Sequence, residues 1–170
     1  MTAELNRVAV RRAPPVAGAA RDAYVLAVLS LQEISDRLEI QQLLVDYSTA
    51  LDQRRFDDLD AVFTPDAYID YRVTGGIDGR FPAVKKWLAE VLPNFPAYSP
   101  MLGNFAIRVD GDTATARTIC FNPMVFQAGE GVTHRPVLFV GIWYCDELSP
   151  TDGGWRFTRL GEGQFFGTAR

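Results

Sequence analysis

The chain has 170 residues, with 17 Lys and Arg against 21 Asp and Glu, two cysteines and one histidine, His134. That length suits one domain with its own core, and 48% hydrophobic against 22% charged residues is an ordinary globular balance. The net charge of −4 excludes a nucleic-acid binder built on a basic stripe, and the histidine and cysteine counts exclude a zinc finger or a His-rich metal site.

Residues 1–29 read as a flexible tail or an extra helix ahead of a domain spanning 30–170. The first twenty hold Arg7, Arg11, Arg12 and the pair Pro14-Pro15, without the unbroken apolar core of a secretory signal. No stretch approaches the ~20 apolar residues of a membrane span. The expectation is a cytoplasmic protein that binds no membrane.

The first helix starts near Ser30 or Ser35, and Ser30 with Glu33 forms a capping box. Behind them Ile40, Leu43, Leu44, Tyr47 and Leu51 share one helical face. Phe56, Leu59, Val62 and Phe63 mark a second short helix, which Thr64-Pro65-Asp66 stops. Ala67 to Val73 reads as a strand ended by Gly75-Gly76. Pro82 sits in the first turn of a third helix with Val84, Trp87, Leu88, Val91 and Leu92 as its apolar stripe.

After Pro93 the period becomes alternating. Strands are expected over 101–109, 113–126, 136–148 and 155 to about 166, joined by turns at 110–112 and 149–154 and a glycine loop at 127–133. Helices followed by a meander give an α+β fold: about three helices on a curved, mostly antiparallel sheet.

With the glycine loop centred near Glu130, facing residues of the middle hairpin sum to about 260. Cys120 then lies opposite position 140 and out of bonding reach of Cys145, so both read as buried free thiols. Leu138, Val140 and Ile142 point one way, Val137, Phe139 and Trp143 the other, and both faces are apolar. Helices cover one. A second copy of the chain is the simplest cover for the other, so a homodimer through the sheet face is expected.

The segments Asp36-Arg37-Leu38-Glu39-Ile40, Asp46 through Asp52, Phe56-Asp57-Asp58-Leu59 and Phe63-Thr64-Pro65-Asp66-Ala67 resemble the nuclear transport factor 2-like superfamily, on its SnoaL-like polyketide cyclase and scytalone dehydratase-like branch. Leu102-Gly103-Asn104, the turn Val109 to Ala114, and Thr151-Asp152-Gly153-Gly154-Trp155 continue the match. The resemblance implies a cone-shaped fold around a pocket for a small apolar cyclic molecule such as a polyketide, a steroid or an aromatic. No cofactor, metal or nucleic acid is implied. The fold hosts many activities, so it does not name one.

Asp52 stands where similar dehydratases carry a carboxylate that orients a histidine base. It lies at the flank of the buried helical stripe, and the alternative is an exposed Asp paired with Arg54 or Arg55. Tyr47, five residues earlier, resembles the tyrosine of bile-acid dehydratases and could serve an oxyanion, or be an ordinary core tyrosine. Tyr71 resembles a pocket tyrosine of scytalone dehydratase. Asn104, Asn122 and Trp143 are candidate substrate contacts. The histidine expected four residues before Asn104 is replaced by Pro100, which cannot take a proton. His134 is either an exposed loop residue or a substrate contact from an unexpected strand. The Arg-x-Asp of the epoxide-hydrolase branch is not visible: Arg117 is followed by Thr118 and Ile119.

Three readings follow: a lyase or isomerase, of dehydratase or cyclase type, with Asp52 as base and Tyr47 on the oxyanion; a ligand-binding module that has lost the Asp–His dyad; and a structural dimer whose pocket is filled by its own side chains.

Overall fold

The computed structural model describes residues 28–129 and 134–164. The expectations for residues 1–27, for the loop tip at 130–133 and for the strand end beyond 164 lie outside these residues.

Ser30 caps helix α1 (Leu31–Asp52), its Oγ accepting a hydrogen bond from the Glu33 N–H at 3.1 Å. Ile40, Leu43, Leu44, Tyr47, Ala50 and Leu51 form its buried face. The helix ends in a double wrap: Arg55 N–H donates to Ala50 O at 2.8 Å and Arg54 N–H to Leu51 O at 3.0 Å. Arg54 occupies the left-handed region, φ 56°, which costs a non-glycine residue about 1 kcal/mol. Its guanidinium donates to Phe95 O at 2.7 Å and lies over the Tyr98 ring, which offsets that strain.

A 3-10 turn follows at Phe56–Ala61, then strand β1 (Phe63–Asp70). The strand starts ahead of Pro65, where the sequence pattern suggested only a break. Pro65 is exposed within a register irregularity between Phe63 and Tyr68, where its missing N–H is not needed. A 3-10 turn at Arg72–Thr74 leads to β2 (Asp78–Arg80) and helix α2 (Phe81–Val91), with Pro82 at its start. The remaining strands are β3 (Ala97–Tyr98), β4 (Met101–Asp110), β5 (Thr113–Val125), β6 (Val137–Thr151) and β7 (Gly154–Gln164).

The sheet order is β2-β1-β7-β6-β5-β3, with β4 also pairing β5. β1 and β7 run parallel and the other pairs antiparallel. The helices pack on one face of this curved sheet. Cys120 faces Ile142 and not position 140, because the hairpin centre lies one residue beyond Glu130. The inward parity is as expected: Cys120, Ile142, Tyr144 and Leu148 are buried, while Met101, Val137 and Phe139 on the outer face are about half exposed. Both cysteines are free, but only Cys120 is buried; Cys145 is exposed, since its odd position in β6 turns it outward. This corrects the expectation of two buried thiols.

One irregularity matters for the site. Leu148 pairs with Phe157 and Glu147 with Arg159, so Thr158 is an extra residue in β7. The bulge reverses the parity of everything after it. Phe157 and Leu160 are both fully buried as a result, and Glu162 follows Leu160 onto the inner face.

Candidate functional site

A cavity of about 260 Å³ lies between α1, α2 and the inner face of the sheet. Tyr47 comes from α1, Tyr71 and Thr74 from the turn after β1, Trp87 from α2, Cys120 and Asn122 from β5, Tyr144 from β6 and Glu162 from β7. Aliphatic and aromatic side chains such as Leu88, Met124, Leu138 and Ile142 make up much of the remaining wall. A larger depression of about 610 Å³ opens beside the 3-10 turn after α1. Its charges are already spent on each other: Lys85 holds Asp57 at 2.8 Å and Asp60 at 2.9 Å, and Arg55 holds Asp58 at 2.9 Å. The smaller, apolar cavity is therefore the candidate site.

Its polar centre is a pair of phenols. The Tyr47 and Tyr71 hydroxyls lie 2.6 Å apart, and both residues are buried. One proton is shared in this contact, and the Tyr144 hydroxyl also interacts with Tyr47. Tyr144 packs edge-on to Tyr47, with centroids 5.8 Å apart, and Trp87 stacks on Tyr71 at 6.1 Å. Burial raises the pKa of all three tyrosines, and it pushes the Cys120 thiol up to about 11. These groups stay protonated near neutrality and act as donors.

Glu162 supplies the carboxylate. Burial pushes its carboxyl up to about 7, against two hydrogen bonds from Thr74 that favour the charged form. Thr74 Oγ1 donates to Glu162 Oε2 at 2.8 Å and Thr74 N–H to the same oxygen at 3.2 Å. A second carboxyl, Asp146, is 2% exposed on the inner face of β6. Neither of its oxygens has a hydrogen-bond partner among the described residues, and burial pushes it well above the usual carboxylate range. The described residues contain no cluster of three or more His, Cys, Asp or Glu that could hold a metal ion.

Of the residues expected from the sequence, the cavity brings together Tyr47, Tyr71 and Asn122. Asp52 is not among them: it is exposed at the last position of α1. The five steps from Tyr47 turn it roughly 140° away from the cavity. Asp52, expected as the pocket base, therefore lies outside this cavity. Asn104 is exposed, with φ 52°, inside a register irregularity of β4. Trp143 lies on the outer face of β6 with the Arg117 guanidinium 3.7 Å from its ring centroid. His134 is exposed beside the hairpin loop. None of these three, expected as substrate contacts, lines the cavity. Pro100 is buried and its carbonyl accepts from Ser48 Oγ at 2.7 Å.

Glu162, Tyr144, Trp87 and Cys120 line the cavity and were not expected as site residues, nor was the buried Asp146 on the same face of the sheet. Asp146 was open to detection, since it follows Ile142 and Tyr144 on the same alternation. Glu162 was not, because only the bulge at Thr158 turns it inward.

Comparison with known proteins agrees with this architecture. Residues 32–161 match the family model described as a SnoaL-like domain. The uncharacterized protein Rv2910c of Mycobacterium tuberculosis is 66% identical over 140 residues, covering 82% of this chain and 92% of that protein. Among solved structures, the Kfla4162 protein of Kribbella flavida superposes with a TM-score of 0.71 at 24% identity, over 78% of this chain and 93% of its own. A hexachlorocyclohexane dehydrochlorinase, LinA type 2, gives a TM-score of 0.68 at 21% identity, over 80% and 89%. At such identities the likeness to these structures is one of fold. The family model covers most of the chain, and a relative is 66% identical over 140 aligned residues: this protein belongs to the SnoaL-like domain family.

Proposed function

We propose that this chain is a proton-transfer enzyme of lyase or isomerase type, acting on a small, largely apolar cyclic molecule. The observation that carries the reading is one apolar cavity lined both by a carboxyl poised at about 7 and by a pair of buried phenol donors. Glu162, not Asp52, is the acid–base group. Both Thr74 hydrogen bonds fall on Oε2, so Oε1 is the oxygen that takes a proton from the ligand. Abstraction beside a carbonyl builds negative charge on its oxygen, and the Tyr47–Tyr71 pair donates to it. The dehydrochlorinase with the same fold is named for the loss of a proton and a chloride, a chemistry that also needs a base, but that likeness supports the fold alone.

The test does not require the natural substrate. A panel of cyclic ketones is incubated in deuterium oxide and hydrogen exchange beside the carbonyl is followed by NMR. Exchange on at least one compound, lost in Glu162→Gln, supports the reading. Pro100 favours a second reading, a binding module, because it replaces the family histidine and spends its carbonyl on Ser48. Under that reading a ligand raises the melting temperature and is recovered without deuterium.

The outer face of the sheet fits association of two copies. Met101, Val137 and Phe139 are about half exposed there, Phe121 stacks on Phe139 at 5.8 Å, and Arg117 covers Trp143.

A further inference from the structure

Beside the cavity, Tyr71 to Ile77 forms a tight turn. Tyr71 N–H donates to Ile77 O at 2.9 Å, and Gly76 N–H donates to Tyr71 O at 2.9 Å. Gly75 has φ 87°, and a Cβ on Gly76 would lie 2.8 Å from both Trp87 Cη2 and Tyr71 Cβ. Thr74, Gly75 and Gly76 all line the cavity, so this turn is part of its wall. Val73 and Ile77 are substantially exposed and do little to anchor it. Its tip is tied to the sheet by Thr74, whose hydroxyl and N–H reach Glu162 Oε2 at 2.8 and 3.2 Å across 88 residues of sequence and are each shared with Tyr71 O, at 3.0 and 3.2 Å.

We propose that Thr74 is a positioning residue for Glu162, and that the same contact latches the turn over the cavity while Glu162 is ionised and loosens it once Glu162 has taken a proton. The inference rests on the reading of Glu162 as the acid–base group. Its physical basis is that hydrogen bonds to a charged acceptor are roughly twice as strong as neutral ones. Proton uptake from the ligand would therefore weaken the closure, and loss of that proton from Glu162 would restore it.

Asp146, the other buried carboxyl on the inner face, is also raised by burial, so the window is read at the Glu162 carboxyl itself. Asp70, on β1, is held by Arg72 at 2.6 Å and lowered to about 2. Tyr71 on the turn, Tyr144 on β6 and Cys120 on β5 are all raised by burial and remain neutral there. Unlike Asp70, Tyr71, Tyr144 and Cys120, Glu162 changes charge near pH 7.

The experiment titrates the full chain by NMR. It follows the Glu162 side-chain carboxyl carbon, assigned with Glu162→Gln, together with the amide proton of residue 74. In the wild type, lowering pH from 8 to 6 takes the ionised fraction from about 0.9 to about 0.1. Exchange of the Thr74 amide, corrected for its intrinsic pH dependence, then speeds by about tenfold or less. Thr74→Val keeps the shape and the N–H but removes the hydroxyl, and it shifts the Glu162 midpoint upward by about one unit. Thr74→Ser restores the hydroxyl and the wild-type midpoint, which a packing role for the threonine methyl would not predict. A Thr74→Val midpoint equal to wild type overturns the positioning role, and amide exchange that ignores Glu162 charge overturns the latch. If Glu162→Gln keeps deuterium exchange, the acid–base reading fails on its own, while the two titrations still decide the latch.

Discussion

The hydroxyls of Tyr47 and Tyr71 meet at 2.6 Å although 24 positions separate them in the chain. One phenol must donate to the other, and Tyr144 also interacts with Tyr47, so the three buried hydroxyls form one network of donors. Losing either hydroxyl removes that arrangement. Tyr47→Phe and Tyr71→Phe are each expected to lower turnover about 100-fold, by analogy with removal of one oxyanion donor. Each also costs about 1 kcal/mol of stability by leaving its partner unpaired. Deuterium-exchange rates and urea melts of the two variants check both figures.

Glu162→Gln removes the base and keeps its size. The expected loss in turnover is about 10²- to 10⁴-fold. In the wild type, rate should rise with pH through about 7, because the carboxylate is the active form. A rate that falls through that window would assign Glu162 as an acid in the limiting step.

Stability should carry the opposite slope. A carboxyl whose folded pKa lies above its unfolded value binds more protons when folded, so stability falls as pH rises between the two values. For Glu162 the window runs from about 4.3, the unfolded value, to about 7. Asp146, raised by burial, acts in the same direction. The wild type is therefore expected to be less stable at pH 8 than at pH 5, and the double variant Glu162→Gln, Asp146→Val to have a flatter profile. Asp146→Val alone should stabilise by about 1–2 kcal/mol at pH 8, since it removes a buried carboxyl without hydrogen-bond partners among the described residues. Chemical denaturation at the two pH values measures each term.

Gly76 leaves no room for a side chain in the cavity wall. Gly76→Ala places a methyl against Trp87 and Tyr71 and should destabilise by about 1–3 kcal/mol, while the rebuilt wall lowers ligand affinity. Thermal melts with and without a bound cyclic ketone separate the two effects.

On the outer face, Phe139 is 52% exposed and stacks on Phe121. Phe139→Asp is expected to convert a dimer to a monomer with little loss of monomer stability, as read by light scattering after gel filtration. A wild type that is monomeric at high concentration would remove the dimer reading.

The α+β architecture was legible in the chain itself. Ser30 as helix cap, the 3.6-residue period through Tyr47 and Leu51, Pro82 at the start of α2 and the turns at Asp110-Gly111 and Gly153-Gly154 are local signals, and local physics settles them. Tyr47 and Asn122 could be singled out for the same reason, as polar side chains on an apolar periodicity, whereas Tyr71 stood out only through its resemblance to a pocket tyrosine of scytalone dehydratase. Where a side chain goes after an irregularity is not a local matter. Asp52 looked close to the buried stripe when measured from Leu44, yet it is turned away from the Tyr47 that reaches the cavity. Thr158, one extra residue in β7, changes the parity of the strand and delivers Glu162 to the inner face. A bulge is decided by pairing across strands and not by the residues that contain it, so the carboxylate of the site, and its bond to Thr74, emerged only from the tertiary structure.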